Sequence, residues 1–258
     1  VTVLRLAFVG QCHILGYPGV PADRAFPEVC RGVLQAHRPA HRVSLLLEPY
    51  YHPFELEQAV RRALRQKPRA VIVEVPGWLA VSGKPVVDLS RLPSAVRTTY
   101  QRVRHFHGMA ARVVARTSGA VPQLIYRAET SALALAGGAL RPLMPRHRRA
   151  TLLEYEECVS RALAAMAQAP GVQAVVQGPG APNLALDAPS LPADLVARYH
   201  AVREMAPRVA QAHGALFVDR WDTVSRGFFS EGSVRPSAQG HSAFGHLLAS
   251  ELLAHGVV

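Results

Sequence analysis

A thiol and an imidazole stand side by side at Cys12 and His13, just past an apolar run that ends at Gly10, in the stretch FVGQCHILG. A cysteine at such a strand-to-helix turn can be a nucleophile, because a thiolate needs less help from a base than a hydroxyl does. His13, or His52 from the loop after the second apolar run, is the candidate acid or base. The same cysteine can be a small apolar filler, since free cysteine is common in buried positions. Both readings stand. Cys30 and Cys158 fall on apolar helical faces and read as core. Three widely spaced cysteines do not make a disulfide framework, so reduced thiols are expected. No Cys/His pair has zinc-site spacing, and the pair His105 and His107 lacks a second pair. The loop from Gly178 to Asn183 offers backbone donors, but no Gly-Lys-Ser/Thr follows it. No metal and no cofactor are assigned.

The formal net charge is +11, and its placement matters more than its size. From Arg91 to Arg149 there are eleven arginines, opposed by Glu129 alone. A cluster of this kind attracts phosphates, carboxylates, acidic partners or anionic lipid heads. Arg102, Arg104 and Arg112 are its candidate anion-binding residues. The segment TTYQRVRHFHGMAARVVAR has little aromatic interleaving and no nucleic-acid reader motif, so a small anionic or acylated molecule ranks first. An acidic protein partner is the next choice, and nucleic acid ranks below both.

Elements must hold these residues. A hydrophobic fraction of 49% is ample for a packed core, and no apolar run is long enough to cross a membrane. Short apolar runs at 4–9, 43–47, 69–75, 173–178 and 215–219 read as strands. Helical spacing fills 21–37, 54–66, 152–168, 192–213 and 237–255. Continuous apolar strands alternating with helices imply one parallel sheet covered on both faces. The expected fold is a single α/β domain over 1–258. About a hundred residues separate the third and fourth strands, where a crossover needs far fewer. The basic stretch at about 80–150 therefore reads as an insertion, helical in part, after the carboxyl end of strand three. Ligands of open parallel sheets bind at that end.

Several blocks in order resemble the SGNH/GDSL hydrolases. LAFVGQCHILGYPGVPADRAFPEVC is similar to the family's first block. KPRAVIVEVPGW fits the third-block strand, and QAVVQGPGAPN the fourth strand and its exit. VREMAPRVAQAHGALFVDRWDTV resembles the late helix and fifth strand, and SEGSVRPSAQGHSAFGHLLASELL the last block. The resemblance implies a flavodoxin-like, three-layer α/β/α fold whose five parallel strands run in the order 2-1-3-4-5. It places the family's nucleophilic serine on Cys12 and the preceding aspartate on Gln11. The second-block glycine falls near Tyr50 or Tyr51, and the oxyanion asparagine on Trp78. The last-block aspartate and histidine fall on Gly232 and Arg235, while Pro236, Gly240 and His241 match residues that serve the turn and helix. His241 is thus expected to cap or pack the last helix.

These replacements bear on mechanism. A guanidinium stays protonated and cannot act as the base, so a standard serine-esterase route is excluded at these positions. Arg235 would instead lower the Cys12 thiol and help to bind an anion. Gln11, Tyr50, Tyr51 and Trp78 would line the pocket. Two functions follow. One is an atypical enzyme in which Cys12, with His13 or His52, takes an acyl group from an ester or thioester of an anionic small molecule. The other is a binding or scaffold protein that keeps the fold without the chemistry. A cytoplasmic location is expected, because the first residues read as a strand; a leader ahead of residue 1 would make the protein secreted.

Overall fold

The computed structural model describes residues 2–16, 20–50, 52–77, 150–181, 193–222 and 236–258. The expected insertion at about 80–150 therefore lies almost wholly outside the described residues. The strands are β1 (Thr2–Gly10), β2 (His41–Pro49), β3 (Ala70–Glu74), β4 (Gln173–Gln177) and β5 (Leu216–Val218). The described α-helices are α1 (Phe26–His37), α2 (Leu56–Leu64), α3 (Leu152–Ala167), α4 (Ala193–Ala212) and α5 (Ala238–Ala254). All strand pairs are parallel, and the sheet order is β2-β1-β3-β4-β5, as expected.

The central strands are apolar on both sides because both sides are covered. Leu6 and Phe8 of β1, Ile72 of β3 and Val175 of β4 pack under α1 and α5. The alternate residues Ala7, Val9, Val71, Val73 and Val176 face α2, α3 and α4. The helix that follows β1 thus lies on one face, and α3, which precedes β4, lies on the other. A chain that leaves two adjacent strands toward opposite faces opens a crevice at their carboxyl ends, and that is where the residues around Cys12 fall.

Local sequence explains the element boundaries. The first helix was expected to start at Pro21, but only a 3-10 turn (Ala22–Arg24) forms there, followed by extended backbone at Ala25. Pro27 is the reason. It has no N–H to give to a carbonyl one turn back, so it is tolerated only in the first turn of α1. Thr151 opens α3 with a reciprocal capping box to Glu154, and Ser237 Oγ accepts the Gly240 N–H at the start of α5. At the edge strand β2, the Gln35 amide receives the Val43 N–H at 2.9 Å and donates to the His41 carbonyl at 2.6 Å. Backbone groups that could pair with another chain are thereby satisfied internally.

α1 and α5 touch closely at Gly245. A Cβ there would lie 2.6 Å from Val29 Cβ and 2.8 Å from the Phe26 carbonyl oxygen. Gly245→Ala is expected to force the two helices apart and lower stability by roughly 1–3 kcal/mol, the usual cost of overpacking. Urea unfolding of the variant checks this; equal stability would mean that the interface can yield.

Candidate functional site

The crevice at the ends of β1 and β3 holds a buried ionic cluster built around Glu74, the last residue of β3. Glu74 is only 1% exposed. Its Oε1 accepts hydrogen bonds from His13 Nε2 at 2.8 Å and from an Arg220 guanidinium nitrogen at 2.6 Å, and its Oε2 accepts the Gln11 N–H at 3.1 Å. Burial alone would raise this carboxyl. The positive charges of His13 and Arg220, with the hydrogen bonds from His13 and Gln11, outweigh burial and hold it well below the usual carboxylate range. Glu74 is therefore ionised and can only accept, so His13 Nε2 carries the hydrogen of that bond. In the neutral ring this leaves the lone pair on Nδ1.

Each member is held by a different element. His13 sits in the 3-10 helix Cys12–Leu15 that follows β1, and it is 7% exposed. Arg220 follows β5; its Nε donates to the Gly178 carbonyl at 2.7 Å, and its guanidinium lies over the Phe244 ring of α5 at 5.0 Å. Gly10 has to be a glycine here. A Cβ would lie 2.9 Å from Glu74 Oε2 and 2.6 Å from Ile14 Cγ2.

The polar layer continues beneath the carboxylate. The Gln11 amide donates to the Tyr50 carbonyl at 2.8 Å. The Tyr50 hydroxyl donates to the Glu74 carbonyl at 2.6 Å, and Tyr155 O–H to the Pro76 carbonyl at 3.2 Å. Burial first, then the Glu74 charge, push the Tyr50 phenol up, so it remains a donor. The exit of β3 is thus tied down by two tyrosines on the face covered by α2, α3 and α4.

His241 packs the last helix against α1, as expected, and is fully buried there. Its Nδ1 also accepts the Phe26 N–H at 2.9 Å, so it caps the first turn of α1. The ring stacks on Phe26 and lies 6.0 Å, centroid to centroid, from His13. Burial, followed by the charge of His13, pushes the His241 imidazole down to about 3. The reason is consistent with the cap: a lone pair must be kept for the α1 N–H.

Of the residues singled out in the sequence, the fold brings Gln11, His13 and Tyr50 to Glu74. His52 works locally in its described contacts, where its Nδ1 accepts the Phe54 N–H at 3.3 Å and its ring lies 4.9 Å from the Phe54 ring. The side chain of Cys12, together with Tyr51, Trp78, Arg102, Arg104, Arg112, Gly232 and Arg235, lies outside the described residues. Cys30 and Cys158 are buried, as read, and burial pushes their thiols up to about 12 and about 11. Sequence reasoning missed Glu74 and Arg220. The signal for Glu74 was one acid inside the apolar run AVIVEV, since a carboxylate is rarely buried without a partner. Among the described residues, no cluster of side chains could hold a metal ion, and no helix is long and apolar enough to cross a membrane.

No family model matches the sequence, and no curated protein matches it. The fold does have counterparts. LAE5, an alpha/beta hydrolase enzyme from the metagenome of Lake Arreo in Spain, is similar with a TM-score of 0.58 and 14% identity, over 100% of this chain and 97% of that one. A catalytic mutant of Axe2, an acetylxylan esterase from Geobacillus stearothermophilus, gives 0.56 and 14%, over 98% and 95% of the chains. The lipase/acylhydrolase from Enterococcus faecalis gives 0.53 and 13%, over 98% and 96%. At such identities the likeness is one of fold. The chain has the SGNH/GDSL hydrolase fold, with the five-stranded parallel sheet in the order 2-1-3-4-5.

Proposed function

We propose that the protein is an acyl hydrolase or acyltransferase that uses the Cys12 thiol on an ester or thioester of an anionic small molecule. The observation that carries this reading is the hydrogen bond from His13 to the buried, ionised Glu74, immediately after Cys12 in the chain. An orienting carboxylate on an imidazole is what a thiol–imidazole pair needs to be completed. In the proposed cycle His13 Nδ1 takes the Cys12 proton. The sulfur forms a bond to the acyl carbon, and the bond from that carbon to the leaving oxygen or sulfur breaks. The leaving group receives the proton from His13. Water, or a second hydroxyl or amine, then cleaves the acyl-thiol bond and restores the thiol.

The arginine-rich stretch, with Arg102, Arg104 and Arg112, and Arg235 would hold the anionic part of the substrate. Turnover should then weaken as salt rises, because exposed charges are screened over about 10 Å at 0.1 M. The expected result on a panel of carboxylate- and phosphate-bearing esters and thioesters is that Cys12→Ala abolishes turnover. His13→Gln should lower it by roughly 100-fold or more, the scale of a general base. Turnover that survives Cys12→Ala would mean that the chemistry lies elsewhere.

One observation favours a second reading. Glu74 Oε1 serves Arg220 as well as His13, and all three groups are buried, which also suits a structural ion cluster in a binding protein for an anionic ligand or acidic partner. In that case the panel is bound in a salt-sensitive way and never turned over.

A further inference from the structure

β4 ends in a glutamine at a position where packing alone calls for none. Gln177 is fully buried, and neither its amide nitrogen nor its amide oxygen meets a hydrogen-bond partner among the described residues. Its register partner on β3 is Glu74, and its register partner on β5 is Val218. Val175, two residues earlier, packs in the core under α1 and α5, as does Val218. Side chains alternate along a strand, and register partners face the same side. Gln177 therefore stands beside the Glu74 carboxylate on the α1/α5 side, at the carboxyl end of the sheet. The next residue, Gly178, supplies the carbonyl that holds Arg220 Nε.

A buried carboxamide without partners costs the folded state free energy, whereas methionine or leucine would fill the same volume without that cost. Such a group calls for a partner from outside the chain: an ordered water, an ion or a ligand. The charge of the surroundings narrows what that is. With the His13 ring neutral, Glu74 and Arg220 neutralise each other at 2.6 Å. A further charge brought beside them would be buried without a counter-ion. A neutral group that offers a donor and an acceptor together matches both the carboxamide and this balance.

We propose that Gln177 is a ligand-binding residue whose amide reads a neutral amide group of the ligand. The inference stands apart from the chemistry proposed for Cys12, and its test needs no turnover. Acetamide is the probe, acetate its charged counterpart, and the readouts are the side-chain amide resonances of Gln177 in the whole protein and thermal unfolding. Acetamide should shift those resonances saturably, and acetate should not. Gln177→Met should melt at a higher temperature than the parent and lose the stabilisation that acetamide gives. The proposal is overturned if acetamide leaves the Gln177 resonances unmoved, if acetate moves them equally, or if acetamide stabilises Gln177→Met as it does the parent. It is also overturned if Gln177→Met melts lower, since the amide would then be a satisfied structural group. The resonance experiment on the parent protein decides the matter even if the variant does not fold.

Discussion

Glu74→Ala is expected to cost about 3–5 kcal/mol of folding stability, the range found when one partner of a buried ion pair is removed. The loss is not mainly that of a favourable contact. It leaves the Arg220 guanidinium, 4% exposed, as a buried charge facing His13 with its carboxylate gone. The Gln11 N–H loses its acceptor as well. Arg220→Met in the same chain should recover a good part of the loss, because it removes the stranded charge while keeping an apolar stem near Phe244. The double-mutant cycle by urea unfolding should show a coupling of about 1–3 kcal/mol. Additive losses would mean that the carboxylate and the guanidinium act independently, against the shared oxygen seen here.

Acid should destabilise the protein well above the pH at which ordinary carboxylates protonate. His241 is pushed down from 6.5 to about 3 in the folded state. Between those values the unfolded chain binds the proton and the folded protein does not, so stability falls as pH falls through that window. The slope from this one group approaches roughly 1.4 kcal/mol per pH unit. The Glu74 carboxyl, also depressed by folding, acts in the same direction: its contribution is present above about 4.5 and is lost as pH falls below that. The apparent melting temperature should therefore drop steadily from pH 7 to pH 4. His241→Asn, whose side-chain oxygen can still accept the Phe26 N–H, should flatten that drop above pH 4.5. A parent protein equally stable at pH 7 and pH 4.5 would mean that the His241 ring accepts a proton in the folded state.

The sheet was legible because its strands are continuous apolar runs separated by helical spacing, and LAFVG and AVIV cannot be satisfied except between two covered faces. Strand order came from the resemblance of ordered blocks, not from periodicity. The start of α1 was misread because Pro21 draws attention as a helix opener, while Pro27 sets the boundary. The ionic cluster was not legible, since Glu74 and Arg220 are 146 residues apart and meet only because β3 and the end of β5 deliver them to the same end of the sheet. What could be read was the anomaly of one acid in a buried strand. Its partner could not be read, because nothing local marks Arg220 among so many arginines. His241 taught a similar lesson: its motif fixed its helix, but its hydrogen bond runs to another one.

Acylation of Cys12, as proposed, is best tested by intact-protein mass spectrometry after brief mixing with anionic thioesters and rapid acid quench. Cys30 and Cys158 provide the contrast, because burial holds both thiols protonated at neutral pH. The expected result is a mass increase of one acyl group, mapped by proteolysis to the peptide containing Cys12, absent from Cys12→Ala and much slower to appear in His13→Gln. A parent protein that stays unacylated across the panel while binding it, or an acyl group found on any other residue, would mean that Cys12 is not the nucleophile.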